Sequence, residues 1–395
     1  MRLLMVSGDR QTPVGEVGPF HAMQAEFSKH FERIDVLCPR PDRPVTTTVI
    51  HGNVHFHPAD TGRLGMRGYL KRRGIELVRE HGHGLIVSHD YGWFYNGLGS
   101  AAISRATGVP YLSEIHHVPG FPRAADRRER LDRWIARRYV RWARDKAAAF
   151  RVVNTEEMPP LLRSWGVPEE KILVLGSLYI DLDLFHPVSD LTPTPSGELG
   201  LTGRDGAADP RWDLALVGRL VNNKGLHWLT EALEQLRRDA PTIKLLVLGR
   251  GPLAGKLRAD VARRGLEDNV DLVEWVETPK DLADVYRASR AVVCASTCEG
   301  GPRVTVEAMA CGTPAVSTRV GIMGELLEDG RNGALCDWSG PSLADACRRV
   351  LADEEARRVM GQRARADVLR FEYGEAIARY AEGCKQLAAR AGGTA

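Results

Sequence analysis

Two glutamates eight positions apart are the residues best placed to do chemistry in this chain. They bracket the run Glu299-Gly-Gly-Pro-Arg-Val-Thr-Val-Glu307, which continues as Ala-Met-Ala-Cys-Gly-Thr-Pro314. Pro302 suits the first position of a helix, where its missing N–H is no loss. Gly312 suits a left-handed helix stop, and Pro314 discourages continuation. The pattern predicts a loop carrying Glu299, then a helix start over Gly301, Pro302, Arg303 and Val304 whose free backbone N–H groups face outward (Pro302 itself has none), then Glu307 about one turn in. A helix N-terminus attracts anions. Carboxylates placed there are better suited to accepting hydroxyl hydrogen bonds than to holding the anion. Amide donors for phosphate beside two carboxylates for hydroxyls suit a nucleotide-sugar. The same local pattern also describes a capped surface helix, so the neighbouring segments must decide.

Several neighbours add relevant chemistry. Gly218-Arg219-Leu-Val-Asn-Asn-Lys224-Gly225 follows an apolar run and leads into a helical pattern. A rigid guanidinium and a point-charge ammonium at such a turn suit a diphosphate. Gly249-Arg-Gly251-Pro-Leu-Ala254 spells G-x-G-x-x-A, a weak dinucleotide fingerprint with Glu274 as its candidate acid. Ser7 to Gly18 forms a glycine-bearing loop in which Gly15 and Gly18 could close over a phosphate or sugar. Ser88-His89-Asp90 and Ser113-Glu114-Ile-His116-His117 end two further apolar runs, and their imidazoles can donate to or accept from sugar hydroxyls. His55 and His57 share one face of a strand without a carboxylate at ligand spacing, and Asp181-Leu-Asp183 reads as a capping turn. Neither makes a convincing metal site.

The elements that must position these residues are short apolar runs alternating with amphipathic stretches. Strands are predicted at Leu3–Val6, Ile34–Leu37, Gly84–Val87, Pro110–Leu112, Phe150–Val153 and Ile172–Leu175. A second series follows at Leu214–Val217, Ile243–Leu248, Val270–Val273, Ala291–Ala295, Ala315–Ser317 and Gly333–Leu335. Continuous apolar strands separated by helices imply parallel sheets covered on both faces. The expected architecture is α/β, with two doubly wound Rossmann-like domains facing across a cleft. The first domain is placed at 1–190 and the second at 191–370. A Pro, Gly, Ser and Thr-rich linker runs roughly from 186 to 211, and a last amphipathic helix at about 371–395 packs back on the first domain. Ligands of such sheets bind beyond the carboxyl ends of the strands.

Composition bounds the rest. The 395 residues suit two domains, and 43% apolar with 27% charged residues is ordinary for a globular protein. A formal net charge of +3 gives no footprint for nucleic acid. Seven scattered cysteines without C-x-x-C point to a reducing compartment. No segment approaches the roughly 20 apolar residues of a membrane span. Residues 123–151 are rich in arginine, with Leu131, Trp134, Ile135, Tyr139 and Trp142 at helical spacing. The favoured expectation is that the aromatic stripe packs on the sheet. The alternative is peripheral contact with the inner face of a membrane.

Taken together, the second-half motifs resemble those of the retaining family 4 glycosyltransferases (glycosyl transferases group 1, GT-B fold). Val217-Gly-Arg-Leu, Lys224-Gly225, Leu248-Gly-Arg-Gly-Pro252, the Glu299–Pro314 run and Glu325-Leu-Leu-Glu-Asp-Gly-Arg-Asn-Gly333 occur in family order over about 214–333. The first half matches more loosely, through the Gly15 loop, Glu114-Ile-His116 and Asp181–Pro187. It departs at Gly15-Glu-Val-Gly18 and Gly176-Ser-Leu-Tyr179. The resemblance implies an EC 2.4 hexosyltransferase that uses a UDP- or GDP-linked sugar and a hydroxyl acceptor, with no metal and no further cofactor. Arg219 and Lys224 would hold the diphosphate, Glu299 the transferred sugar and Glu307 the ribose. Gly301–Val304 amides would reach the sugar and distal phosphate. Gly249 would let backbone approach the nucleotide, and the Gly15–Gly18 loop would close over the diphosphate. His116, with His117 as a rival, would lie near the reacting sugar. A cytoplasmic enzyme of glycan or glycolipid synthesis is expected. A nucleotide-sugar epimerase of the same fold and an NAD-dependent oxidoreductase are the alternatives.

Overall fold

The computed structural model describes residues 1–187 and 211–392. Most of the 186–211 linker expected from the sequence lies outside them. The chain forms two compact units. The first comprises Met1–Val118, Arg130–Ser177 and the chain from Gly374, and the second comprises Pro119–Glu129 and Leu178–Tyr373. Residues 178–187, placed with the first domain from the sequence, therefore group with the second unit, as do residues 119–129.

The first unit is built on an eight-stranded sheet: β1 (Arg2–Val6), β2 (Arg33–Cys38), β3 (Val49–Ile50), β4 (Val54–Pro58), β5 (Leu85–His89), β6 (Tyr111–Glu114), β7 (Ala149–Val152) and β8 (Ile172–Val174). Its spatial order is β3-β4-β2-β1-β5-β6-β7-β8. All pairings are parallel except β3 with β4, a two-residue antiparallel edge that the purely parallel expectation missed. The second unit carries six parallel strands: β9 (Trp212–Val217), β10 (Leu245–Leu248), β11 (Val270–Val273), β12 (Ser289–Cys294), β13 (Ala315–Thr318) and β14 (Gly333–Cys336). Their order is β11-β10-β9-β12-β13-β14.

Both orders run outward from the first strand and then reverse, the doubly wound pattern. Each sheet therefore has a switch point where two adjacent strands send their chains to opposite sides. In the first unit it lies between β1 and β5, and in the second between β9 and β12. The strands are apolar on both faces because helices cover both. In the second unit Leu214, Leu216, Leu245 and Val247 enter one buried cluster. Their neighbours Ala215, Leu246 and Leu248 enter another on the opposite face, as the two-residue alternation of a strand requires.

The last helix, Tyr373–Gly392, buries Ile377, Tyr380, Ala381, Cys384 and Leu387. Phe27 stacks on Tyr380 at 4.7 Å. All seven cysteines are buried and unpaired. No described helix is long and apolar enough to cross a membrane.

Candidate active site

In the second unit, four loops at the strand ends are laced together by backbone. Gly218 N–H donates to Leu248 O at 2.9 Å, Gly249 N–H to Val273 O at 2.8 Å, Leu220 N–H to Arg250 O at 2.8 Å, and Thr297 N–H to Asn223 O at 2.8 Å. Gly249 has φ of +155°, and a Cβ there would stand 1.9 Å from Gly218 O. Only glycine lets these two turns lie against each other.

The last contact fixes the short 3-10 turn Asn222–Lys224 against the loop after β12. Lys224 Nζ then lies 2.5 Å from Glu299 Oε1, both side chains about one-fifth exposed. The pair straddles the β9–β12 switch point, where a doubly wound sheet takes its ligand. Burial opposes the charge on Lys224, but Glu299 more than offsets it and the net shift is upward. Arg219 is exposed beside it and adds a second positive charge.

The helix Arg303–Ala310 starts one position later than the sequence suggested. Pro302 is its N-cap, not its first helical residue, and makes no side-chain cap bond. The N–H groups of Arg303 and Val304 in its first turn have no carbonyl to bond within the helix, the arrangement that draws anions. The helix stops as expected at Gly312, φ +81°. Gly312 N–H donates to Met309 O and Thr313 N–H to Ala308 O, each at 2.9 Å, a Schellman closure.

Glu307 is 4% exposed. Arg303 Nε donates to its Oε1 at 2.7 Å and the Tyr286 hydroxyl to its Oε2 at 3.0 Å. Burial pushes its carboxyl up, against the pull of Arg303 and Tyr286. Tyr286 was not among the residues singled out from the sequence. It lies on the helix Pro279–Arg287, and no local pattern ties it to a glutamate 21 positions on.

In the first unit, the loop after β1 and the end of β5 meet at the other switch point. Gly15, φ +82°, closes the 3-10 turn Thr12–Val14, and Gly18 is the N-cap of the helix Pro19–Phe27. Phe20 of that helix packs edge-on to His89, ring centroids 5.8 Å apart.

Strand register sets Glu114 beside both His89 and Arg151. Arg151 Nη1 donates to Glu114 Oε1 at 2.8 Å, and the Tyr380 hydroxyl donates to the same oxygen at 2.7 Å. The other oxygen lies 3.2 Å from His89 Nε2 and 3.6 Å from His116 Nε2. Burial would raise the Glu114 carboxyl, but Arg151 and the two imidazoles hold it well below the usual range. A carboxylate therefore faces both histidines. His116 is the half-buried one of the His116–His117 pair, and His117 is exposed.

Asp90, the residue directly after β5, accepts Ser88 Oγ at 2.8 Å, Ser113 Oγ at 2.5 Å and the Tyr139 hydroxyl at 2.6 Å. Burial nevertheless pushes its carboxyl up to about 7.

Other segments have settled roles. Asp181 Oδ1 accepts the N–H groups of Asp183 and Leu184, each at 3.1 Å, in a capping turn. Among the described residues no cluster of three His, Cys, Asp or Glu is placed to hold a metal. His57 and His83 instead bond the fully buried Asp35, at 2.7 and 2.9 Å. The G-x-G-x-x-A turn follows β10, the second strand of its sheet. In a dinucleotide-binding unit it belongs after the first. The basic helix, Arg127–Ala143, corrects another expectation: Tyr139 packs inward, but Leu131, Trp134 and Trp142 are 52%, 55% and 37% exposed.

Two doubly wound units, the second carrying paired cation and carboxylate at its switch point beside an open helix start, define the GT-B class of glycosyltransferase. The chain matches Glycosyl transferases group 1 over residues 204–367 and the Glycosyl transferase 4-like domain over residues 20–177. It is 32% identical over 320 residues to a D-inositol 3-phosphate glycosyltransferase of Xylanimonas cellulosilytica, covering 77% of this chain and 73% of the relative. It is 28% identical to the alpha-D-kanosaminyltransferase of Streptomyces kanamyceticus, covering 68% and 69%.

Among solved structures, Anabaena HepE in complex with UDP and glucose is similar with a TM-score of 0.74 at 20% identity, over 98% of this chain and 100% of that one. Sucrose-phosphate synthase of Thermosynechococcus elongatus gives 0.77 at 20% identity, over 98% and 99%. The chain belongs to the group 1 glycosyltransferases and is an enzyme of that class.

Proposed function

We propose that this glycosyltransferase moves a sugar from a nucleoside-diphosphate sugar to a hydroxyl acceptor, retaining the donor's anomeric configuration and without a metal. The observation that carries the reading is the Lys224–Glu299 pair at the β9–β12 switch point, beside Arg219 and the start of Arg303–Ala310. In the reaction the anomeric C–O bond to the diphosphate breaks and the electron pair leaves with the nucleoside diphosphate. A new bond forms from the acceptor oxygen to the anomeric carbon. The acceptor's proton passes to the departing phosphate, so no protein base is required.

Negative charge grows on the leaving phosphate, where Arg219, Lys224 and the Gly301–Val304 amides are preorganised to receive it. Binding the donor would open the Lys224–Glu299 pair, freeing the ammonium for phosphate and the carboxylate for a sugar hydroxyl. Glu307, anchored by Arg303 and Tyr286, takes the ribose hydroxyls. From the first unit, family resemblance assigns His116 to the transferred sugar and the Gly15–Gly18 loop to the diphosphate. A UDP-linked donor is supported by the complexes of HepE with UDP and with UDP-glucose. GDP remains the competitor to be tested beside it.

The test is a panel of UDP- and GDP-sugars incubated with the enzyme alone. Slow release of nucleoside diphosphate, unchanged by a chelator, is expected with one of them. Interconversion of the donor sugar without release would mean an epimerase. An absorbance change with a nicotinamide cofactor would mean an oxidoreductase.

A further inference from the structure

The helix Arg127–Ala143 presents its largest apolar side chains to solvent. At 3.6 residues per turn, Leu131, Trp134, Arg138 and Trp142 fall within an arc of about 80°. The buried residues Ala136, Tyr139, Val140 and Ala143 lie on the opposite side. The outward aromatics are interleaved with cations. The Arg138 guanidinium lies 5.2 Å from the Trp134 ring centroid, and Lys146 Nζ lies 4.5 Å from that of Trp142. Arg130, Arg137 and Arg141 are exposed on the same helix. Residues 130–146 hold seven basic and two acidic side chains, a net of +5 in a chain whose total is only +3. The positive charge is therefore local, and the rest of the molecule is slightly acidic. A second aromatic segment abuts this helix: Phe94 stacks on Tyr139 at 4.4 Å, and the preceding Trp93 is 65% exposed.

An ordinary solvated face carries charge without tryptophan, and an ordinary packing face carries tryptophan without charge. A helix face with both matches an interfacial helix, whose indole rings sit at headgroup depth while guanidinium groups pair with anionic lipid. We propose that this face of the first unit docks on an anionic lipid bilayer. Arg130, Arg137, Arg138 and Arg141 meet the headgroups, and Leu131, Trp134 and Trp142 enter the interface. The near absence of acidic groups on the face argues against a protein partner, which would be met by charges of both signs. If the glycosyl-transfer reading holds, the acceptor hydroxyl is then carried on a lipid at that surface.

The test is co-sedimentation of the full chain with vesicles of phosphatidylcholine alone and of phosphatidylcholine with phosphatidylglycerol. Binding is expected only to the anionic vesicles, weakening steeply with salt, with a blue shift of tryptophan emission. The triple variant Arg137→Gln, Arg138→Gln, Arg141→Gln should bind on the order of 10²-fold more weakly, at the usual contribution of a basic residue near an anionic surface. Trp134→Ala with Trp142→Ala should lose the blue shift. Unchanged circular dichroism and donor hydrolysis would show that these variants remain folded. Equal binding to neutral vesicles, or variants that bind like the parent, would overturn the proposal. So would vesicle-free self-association abolished by the tryptophan changes. If docking holds but no nucleotide-sugar is hydrolysed, the functional reading fails and the docking surface stands.

Discussion

The two units handle buried charge in opposite ways. In the second, Lys224 and Glu299 form a rim pair, each about one-fifth exposed, held by glycine turns whose backbones touch. In the first, Glu114 and Arg151 are 0% and 2% exposed, with the Tyr380 hydroxyl donating to Glu114 and Arg151 Nε donating to Leu175 O at 3.0 Å. A rim pair can be opened by a ligand because water and phosphate can replace each partner. A sealed pair cannot, because breaking it strands a charge away from solvent. The second unit's charges can therefore be exchanged for those of a ligand, whereas those of the first hold together the strand ends that carry His89 and Glu114.

The largest effect should come from the rim. Lys224→Ala is expected to lower kcat by on the order of 10²-fold or more, the usual cost of one preorganised donor to a developing oxyanion. Glu299→Ala should do the same through the transferred sugar. Thermal unfolding of either variant should stay close to the parent's, since a partly exposed pair contributes little to stability. A large drop in unfolding temperature with modest loss of turnover would break the comparison.

The sealed pair should invert that pattern. Glu114→Gln is expected to destabilise the first unit by about 3–5 kcal/mol, because Arg151 keeps its charge and loses its counter-ion. Chemical denaturation read by the first unit's aromatic signal checks this. Glu114→Asp, which preserves the charge, should recover most of the stability. It also withdraws the oxygen shared by His89 and His116, so activity should recover less than stability does.

The contrast also explains what could be read from the chain. All twelve strands expected from apolar runs are present, because a strand covered on both faces must be apolar throughout. The turns and the helix that carry the second unit's candidate residues are legible because touching backbones demand glycine, and a helix start demands a recognisable edge. Gly218, Gly249, Pro302 and Gly312 are local signals of three-dimensional constraints. The first unit's network has no such signature. Glu114 meets Arg151 through strand register and Tyr380 across 266 positions, and any acid at that point would look the same in sequence.

The outward direction of the tryptophans is hidden from the sequence for a related reason. Helical spacing gives the phase of an apolar stripe but does not say which of two stripes faces inward. Here the small residues Ala136 and Ala143, with Tyr139 and Val140, let the helix lie close to the unit, and the bulkier stripe was left outside. The two-residue strand β3 was simply too short to carry a pattern.

The sealed side also predicts a pH dependence that the rim should lack. The Asp90 carboxyl is pushed up to about 7 by burial, against hydrogen bonds from Ser113, Tyr139 and Ser88, whereas an unfolded Asp titrates near ~3.9. The folded state therefore binds this proton more tightly. Its contribution to stability is complete below about pH 4 and is lost as pH rises through about 7. Asp90→Asn cannot ionise, so the gap in unfolding temperature between variant and parent should move in the variant's favour from about pH 5 to pH 8. A gap that stays constant would mean that the carboxylate is ionised throughout.

The smallest expected effect tests whether the second unit has a sealed part of its own. Glu307 is buried like Glu114 but sits one helical turn from the rim, with Arg303 on one oxygen and Tyr286 on the other. Tyr286→Phe removes a single neutral donor from a carboxylate that keeps its charged partner. Stability should fall by about 1.5–3 kcal/mol, the usual net worth of a hydrogen bond to a charged group. If Glu307 also holds the ribose, the freed oxygen can turn toward Arg303, and the KM for donor should rise several-fold with kcat nearly unchanged. A loss in kcat instead would place Tyr286 with the reacting groups. A loss in stability alone would make Glu307 a structural acid, leaving Lys224 and Glu299 as the functional pair of this unit.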